Sequence, residues 1–136
     1  MYELFEHTAD LGLRVQGATL EELLVEAARG LLIMLVANPQ DVRPLKSITI
    51  SIDEIEPAYL LFDWLSELLY AFEHEKLLLA HFDLKLFDHK LTAICRGEPM
   101  DTSRHQMEHE VKAITYHGLR VEQASGGWEA EVIVDI

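Results

Sequence analysis

Apolar residues recur every three to four positions in two stretches of this chain and at every second position in most of the rest. In the first stretch Leu20, Leu23, Leu24, Ala27, Leu31 and Met34 fall on one helical face. Thr19 followed by Glu22 reads as a capping box, and Asn38-Pro39 stops the pattern, so a helix is predicted over about residues 20 to 37. Pro57 opens the second, where Leu60, Leu61, Trp64, Leu65, Leu68, Leu69 and Phe72 make a broad stripe before a polar turn around His74. Each helix has one face to bury, and the stripe residues, Trp64 and Phe72 included, are read as core.

Strand patterns occupy residues 2 to 6, 11 to 17, 46 to 52, 78 to 87, 89 to 96, 111 to 123 and 128 to 135. Phe87-Asp88-His89-Lys90 is a short turn between two of them, and Ser125-Gly126-Gly127 offers the positive-φ positions of a hairpin between the last two. Neighbouring strands joined this way are antiparallel. Two helices cannot cover both faces of so large a sheet. The expected architecture is therefore α+β: a largely antiparallel sheet with the two helices packed together on one side.

Nearly half of the 136 residues are apolar, enough for one core, and no linker, repeat or low-complexity tract divides the chain. One domain over residues 1 to 136 is expected. No apolar run is long enough for a membrane span and the start, MYELFEHTAD, lacks the basic and apolar regions of a signal peptide, so a cytoplasmic protein is expected. The formal net charge of −13 opposes direct binding to nucleic acid or to an anionic membrane and favours a basic protein partner or cations. Cys95 is the sole cysteine and sits among strand-forming residues, which reads as a buried inert thiol.

The candidate chemistry lies at the ends of the chain. Asp135 and the α-carboxylate of Ile136 follow an alternating strand, and Asp10 follows His7 in HTADLG where the first strand turns into the second. If the terminal strands are neighbours, these oxygens converge, and oxygen donors without thiolate favour calcium, magnesium or manganese over zinc or copper(I). His7 would be an orienting donor beside Asp10, or simply a hydrogen-bonded structural partner. In the polar stretch from 97 to 122, Asp101, Arg104, His105, His109 and Glu110 precede a strand on which Lys112, Ile114 and Tyr116 alternate with Ala113, Thr115 and His117. Polar residues on both of its faces suggest that the end of this strand lines a site. His105 and His109 have the spacing of a zinc helix but lack the glutamate after the first histidine. There is no Gly-rich phosphate loop and no nucleophile motif; metal-dependent hydrolysis of a phosphoester stays open as an alternative.

Three segments together resemble one family. HTADLGLRVQG at 7 to 17, GEPMDTSRHQMEHEVKAITYHGLRVE at 97 to 122 and GWEAEVIVDI at 127 to 136 resemble the archeases, in the same order along a chain of similar length, and LLFDWLSELLYAF at 60 to 72 fits as well. The resemblance implies a cytoplasmic, non-enzymatic activator of the RtcB-type RNA ligase, which joins tRNA exon halves and repairs RNA bearing 2′,3′-cyclic phosphate or 3′-phosphate and 5′-hydroxyl ends. It implies promotion of GMP transfer from GTP to the ligase histidine, support of multiple turnover and broadened nucleotide use. It further implies a divalent-cation site, calcium with magnesium or manganese as substitutes, built from Asp10, Asp135 and the Ile136 carboxylate. His7, Lys112, Thr115, Tyr116 and His117 match motif positions and would surround that site or touch the partner. The rival reading is an acidic, chaperone-like modulator of another nucleic-acid-modifying enzyme.

Overall fold

The computed structural model describes all 136 residues. Two α-helices and eight strands follow one another as β1 (Tyr2–His7), β2 (Asp10–Gly17), α1 (Leu20–Leu35), β3 (Lys46–Asp53), α2 (Pro57–Glu75), β4 (Leu77–Phe87), β5 (Lys90–Pro99), β6 (Ala113–Ile114), β7 (Arg120–Ala124) and β8 (Gly127–Asp135). A single 3-10 turn, Pro39–Asp41, follows α1.

The predicted capping box is present at α1, where the Thr19 hydroxyl accepts from the Glu22 N–H at 3.1 Å and the Glu22 carboxylate accepts from the Ala18 N–H at 2.7 Å. The helix ends two residues before the predicted limit. Val36 is extended and bridges to Met107, and the Ala37 N–H donates to the Gln106 carbonyl, so the segment after β5 captures the chain before Pro39 can stop it. In α2 the Glu56 side chain caps the first turn and Lys76, in the left-handed region, closes the last.

All strand pairs are antiparallel, and the class is α+β as expected. The alternating pattern did not foresee that the strands part into two sheets. One has the order β1-β2-β8-β6 with β7 also on β8; the other has the order β3-β5-β4. Alternation buries Leu11, Leu13 and Val15 of β2, Ala130, Val132 and Val134 of β8, and Leu91, Ala93 and Cys95 of β5. Each helix touches strands of both sheets, and Trp64, fully buried, donates its indole N–H to the Leu24 carbonyl at 2.8 Å, tying α2 to α1. The result is one core of 34 buried residues shared by helices and sheets. Cys95 lies inside it, its thiol pushed up to about 12 by burial, inert as expected. No helix is long and apolar enough to cross a membrane.

The strand expected over 111 to 123 is interrupted. Ala113 and Ile114 pair with Asp135 and Val134, whereas Arg120 pairs with Glu131, so six steps on one side match three on β8. A turn at Tyr116–Leu119 takes up the difference: the Leu119 N–H donates to the Tyr116 carbonyl, and Gly118 adopts φ +64°, a conformation that suits glycine.

Candidate functional site

His7 and Asp10 are paired across the β1–β2 turn, whose two central residues, Thr8 (φ +24°) and Ala9 (φ +69°), lie in the left-handed region. Neither is a glycine. On β2 and β8 the last ladder pair is Leu11 with Val134, so Asp10 and Asp135 stand one residue further on, opposite each other on the sheet face away from the core. Side chains so placed on adjacent strands have Cβ atoms about 5 Å apart. Both aspartates are half-buried at the sheet's end, within reach of solvent.

Asp135 is held from its other side by β6. It pairs with Ala113, and its carbonyl accepts from the Lys112 N–H at 2.8 Å. Thr115 continues the clamp, with its N–H at 3.1 Å and its hydroxyl at 2.8 Å both donating to the Ile133 carbonyl, while the same hydroxyl oxygen accepts from the His117 N–H. Of the residues expected around the site, Lys112 thus acts through its main-chain N–H, with its side chain in solvent, and Thr115 acts through both its N–H and its hydroxyl. His117 brings its ring to 5.4 Å from that of His7. Tyr116 turns elsewhere, stacking on Phe62 of α2.

His7 Nδ1 is buried with no hydrogen-bond partner and lies 4.0 Å from Asp10 Oδ2. An orphaned nitrogen beside an accessible carboxylate pair leaves hydrogen-bonding capacity unused at this rim. Nowhere do three His, Cys, Asp or Glu side chains gather into a cage by themselves. A cation would therefore need the two aspartates and a main-chain oxygen such as the terminal carboxylate of Ile136, an all-oxygen set suited to calcium, magnesium or manganese. The donors present fit such an ion.

A second polar centre escaped sequence reading. Glu98 and His105 are the two polar side chains buried in the molecule. Glu98 accepts from the Arg43 N–H at 2.8 Å, from Arg104 at 2.8 Å and from His105 Nε2 at 3.0 Å. Burial pushes its carboxyl up, but these hydrogen bonds and the Arg104 charge outweigh that and hold it at about 2. His105 Nδ1 accepts from the Asp101 N–H, which leaves the ring proton on Nε2 for Glu98. The pair is a clasp that pins the 100 to 112 segment before it delivers Lys112 and β6 to Asp135. His105 is spent on this contact and His109 is exposed, so the structure does not bring the two rings together. Arg43 lies 55 residues from Glu98 in the chain, and no local pattern announces their contact.

The Archease protein family model matches residues 2–136. The chain belongs to the archease family. Relatives named protein archease include one from Methanopyrus kandleri, 39% identical over 99% of both chains, and one from Pyrococcus furiosus, 36% identical over 99% of this chain and 98% of the other. Among solved structures, protein 1598 of Methanobacterium thermoautotrophicum superimposes with a TM-score of 0.87 at 31% identity, covering 99% of this chain and 98% of its own. An archease from Thermotoga maritima, described as a possible chaperone, superimposes with a TM-score of 0.70 at 22% identity, covering 100% and 98%. That second likeness concerns the fold. The segments HTAD, EVKAITYH and VDI, far apart in the chain, are brought together at the Asp10–Asp135 rim by the pairing of β1 with β2, β2 with β8 and β6 with β8.

Proposed function

We propose that this archease activates an RtcB-type RNA ligase, promoting guanylylation of the ligase histidine and multiple turnover, with the Asp10–Asp135 rim as its working surface. The observation that carries the reading is the register of β2 on β8, which sets two carboxylates side by side at an accessible sheet end and clamps one of them with β6. Family membership supports the helper role, and no nucleophile motif favours catalysis by the chain itself. A calcium, magnesium or manganese ion held by Asp10, Asp135 and the Ile136 carboxylate would supply positive charge beside a nucleotide phosphate. The chain's own contribution is to orient: β6 and Thr115 fix the Asp135 backbone, the tight β1–β2 turn fixes Asp10, and His7 and His117 close one flank. Such an ion would address phosphate rather than base, which fits a broadened use of nucleotides.

The test is multiple-turnover joining of a 3′-phosphate RNA to a 5′-hydroxyl RNA by the cognate ligase and GTP. Acceleration is expected with the wild type and a loss of at least tenfold with Asp10→Ala or Asp135→Ala, each retaining the wild-type circular dichroism spectrum. Full acceleration by both variants would overturn the reading. In the rival reading, an acidic chaperone-like modulator of another nucleic-acid-modifying enzyme, even the wild type would leave an active ligase unaccelerated. Phosphoester turnover by the purified chain alone would point instead to a hydrolase.

A further inference from the structure

A second surface lies on the other side of the segment that carries Thr115 and His117. Tyr59 and Tyr116 are 53% and 60% exposed, large aromatic side chains left in solvent. They are not loose. One face of the Tyr116 ring stacks on Phe62 at 3.9 Å and 10°, and Tyr59 meets it edge-on at 6.1 Å. The turn closed by the Leu119 N–H on the Tyr116 carbonyl fixes the backbone that carries the ring. Together with Leu119 these rings wall an open cleft of about 740 Å³ between the start of α2 and the turn before β7. Its rim carries Glu54, Glu56 and Asp63, and no basic residue lines it.

We infer that this cleft docks an arginine side chain of a protein partner. The argument is charge and shape complementarity. A stacked tyrosine with one free face, edged by carboxylates, offers what a guanidinium uses: a flat ring to lie on and acceptors for its forked N–H donors. Glu54 and Asp63 form no ion pair within the chain, and the Glu56 carboxylate makes one hydrogen bond, accepting from the Ala58 N–H. The negative net charge favours a cationic partner over nucleic acid, and Glu54, Glu56 and Asp63 concentrate that preference at this cleft. Lysine, a compact and strongly hydrated charge, gains less from the ring. Because Tyr116 sits between Thr115 and His117, a partner seated here lies next to the carboxylate rim. The inference rests on the cleft alone and does not require the ligase reading.

The experiment titrates the full chain with acetylated, amidated tetra-arginine and tetra-lysine peptides at physiological salt, followed by aromatic and backbone NMR shifts. Tetra-arginine is expected to bind at least fivefold tighter than tetra-lysine, with the largest shifts at Tyr59, Tyr116, Glu54 and Asp63. Tyr116→Ala should weaken it at least fivefold; so should Glu54→Gln with Asp63→Asn, which leaves the rings in place and decides the matter if the first variant is misfolded. Asp135→Ala should leave the affinity within twofold, which separates this surface from the ligase-activating rim. Equal binding of the two peptides, or shifts scattered over the acidic surface and insensitive to the variants, would overturn the inference. So would a concentration-dependent dimer abolished by Tyr116→Ala, which would give the cleft to a second copy of the chain.

Discussion

Glu98 has more invested in it than any other single polar residue. Removing its carboxylate strands the buried His105 N–H and takes a charge-assisted acceptor from the part-exposed Arg104, and leaving a buried donor unsatisfied in this way costs about 1–3 kcal/mol. Glu98→Ala should lower the unfolding free energy by that order in chemical denaturation. The same group sets an acid limit. Its carboxyl titrates at about 2 in the folded chain against 4.5 for an ordinary glutamate, so the unfolded chain takes up the proton first as pH falls. The stabilisation is complete above about pH 4.5 and drains away toward pH 2. Denaturation midpoints measured across that window should fall steeply for the wild type and be flatter for Glu98→Gln; parallel curves would remove Glu98 from the account. At the rim, Asp10 and Asp135 were legible in the sequence as oxygen donors, because aspartates at strand ends are a local feature. Glu98 was not, because its meaning comes from Arg43, far away in the chain, and from burial that no local pattern encodes.

At the scale of elements, the β1–β2 turn carries backbone strain close to the proposed site. Thr8 and Ala9 both hold positive φ, which costs an L-residue other than Asn, Asp or Gly about 1 kcal/mol or more. Replacing them together, Thr8→Asn with Ala9→Gly, supplies residues that prefer this turn. The expected gain is about 1 kcal/mol, or roughly 3–5 °C in Tm by calorimetry. Ligase activation should survive, since register rather than turn composition sets Asp10 beside Asp135; a loss of activation would show that the strained turn itself is used. The 111 to 123 segment carries the opposite lesson. Its residues alternate as one strand, yet Gly118 and the Thr115 hydroxyl contacts break it in two, and the break is what sends Tyr116 to α2 and His117 to His7. Alternation reports which residues suit a pleated surface and is blind to a three-residue excursion within it.

For the whole molecule, the net charge of −13 is a standing repulsion. Sodium chloride should raise Tm by screening it. Calcium at equal ionic strength should add a further increment, reaching about 2.7 kcal/mol at a hundredfold excess over its Kd, and Asp10→Ala or Asp135→Ala should abolish the increment while keeping the salt effect. An increment that survives both substitutions would move the cation away from the rim. The Glu98 clasp and the rim share no side-chain partner, so losses at the two should add when combined, and a non-additive double variant would show that the 100 to 112 segment couples them.

The amino-acid sequence alone determined the α+β class, both helices, nearly every strand, the antiparallel pairing and the position of two aspartates at strand ends, all of which rest on local periodicity, capping and turn residues. Only the tertiary structure decided that the strands part into two sheets around one helix pair, that the late strand breaks at Gly118, that Glu98 is clasped by Arg43, Arg104 and His105, and that Tyr116 faces α2 instead of the carboxylates. The physical reason is the same in each case. These outcomes depend on which distant surfaces meet and exclude water, and that contest is settled among residues far apart in the chain.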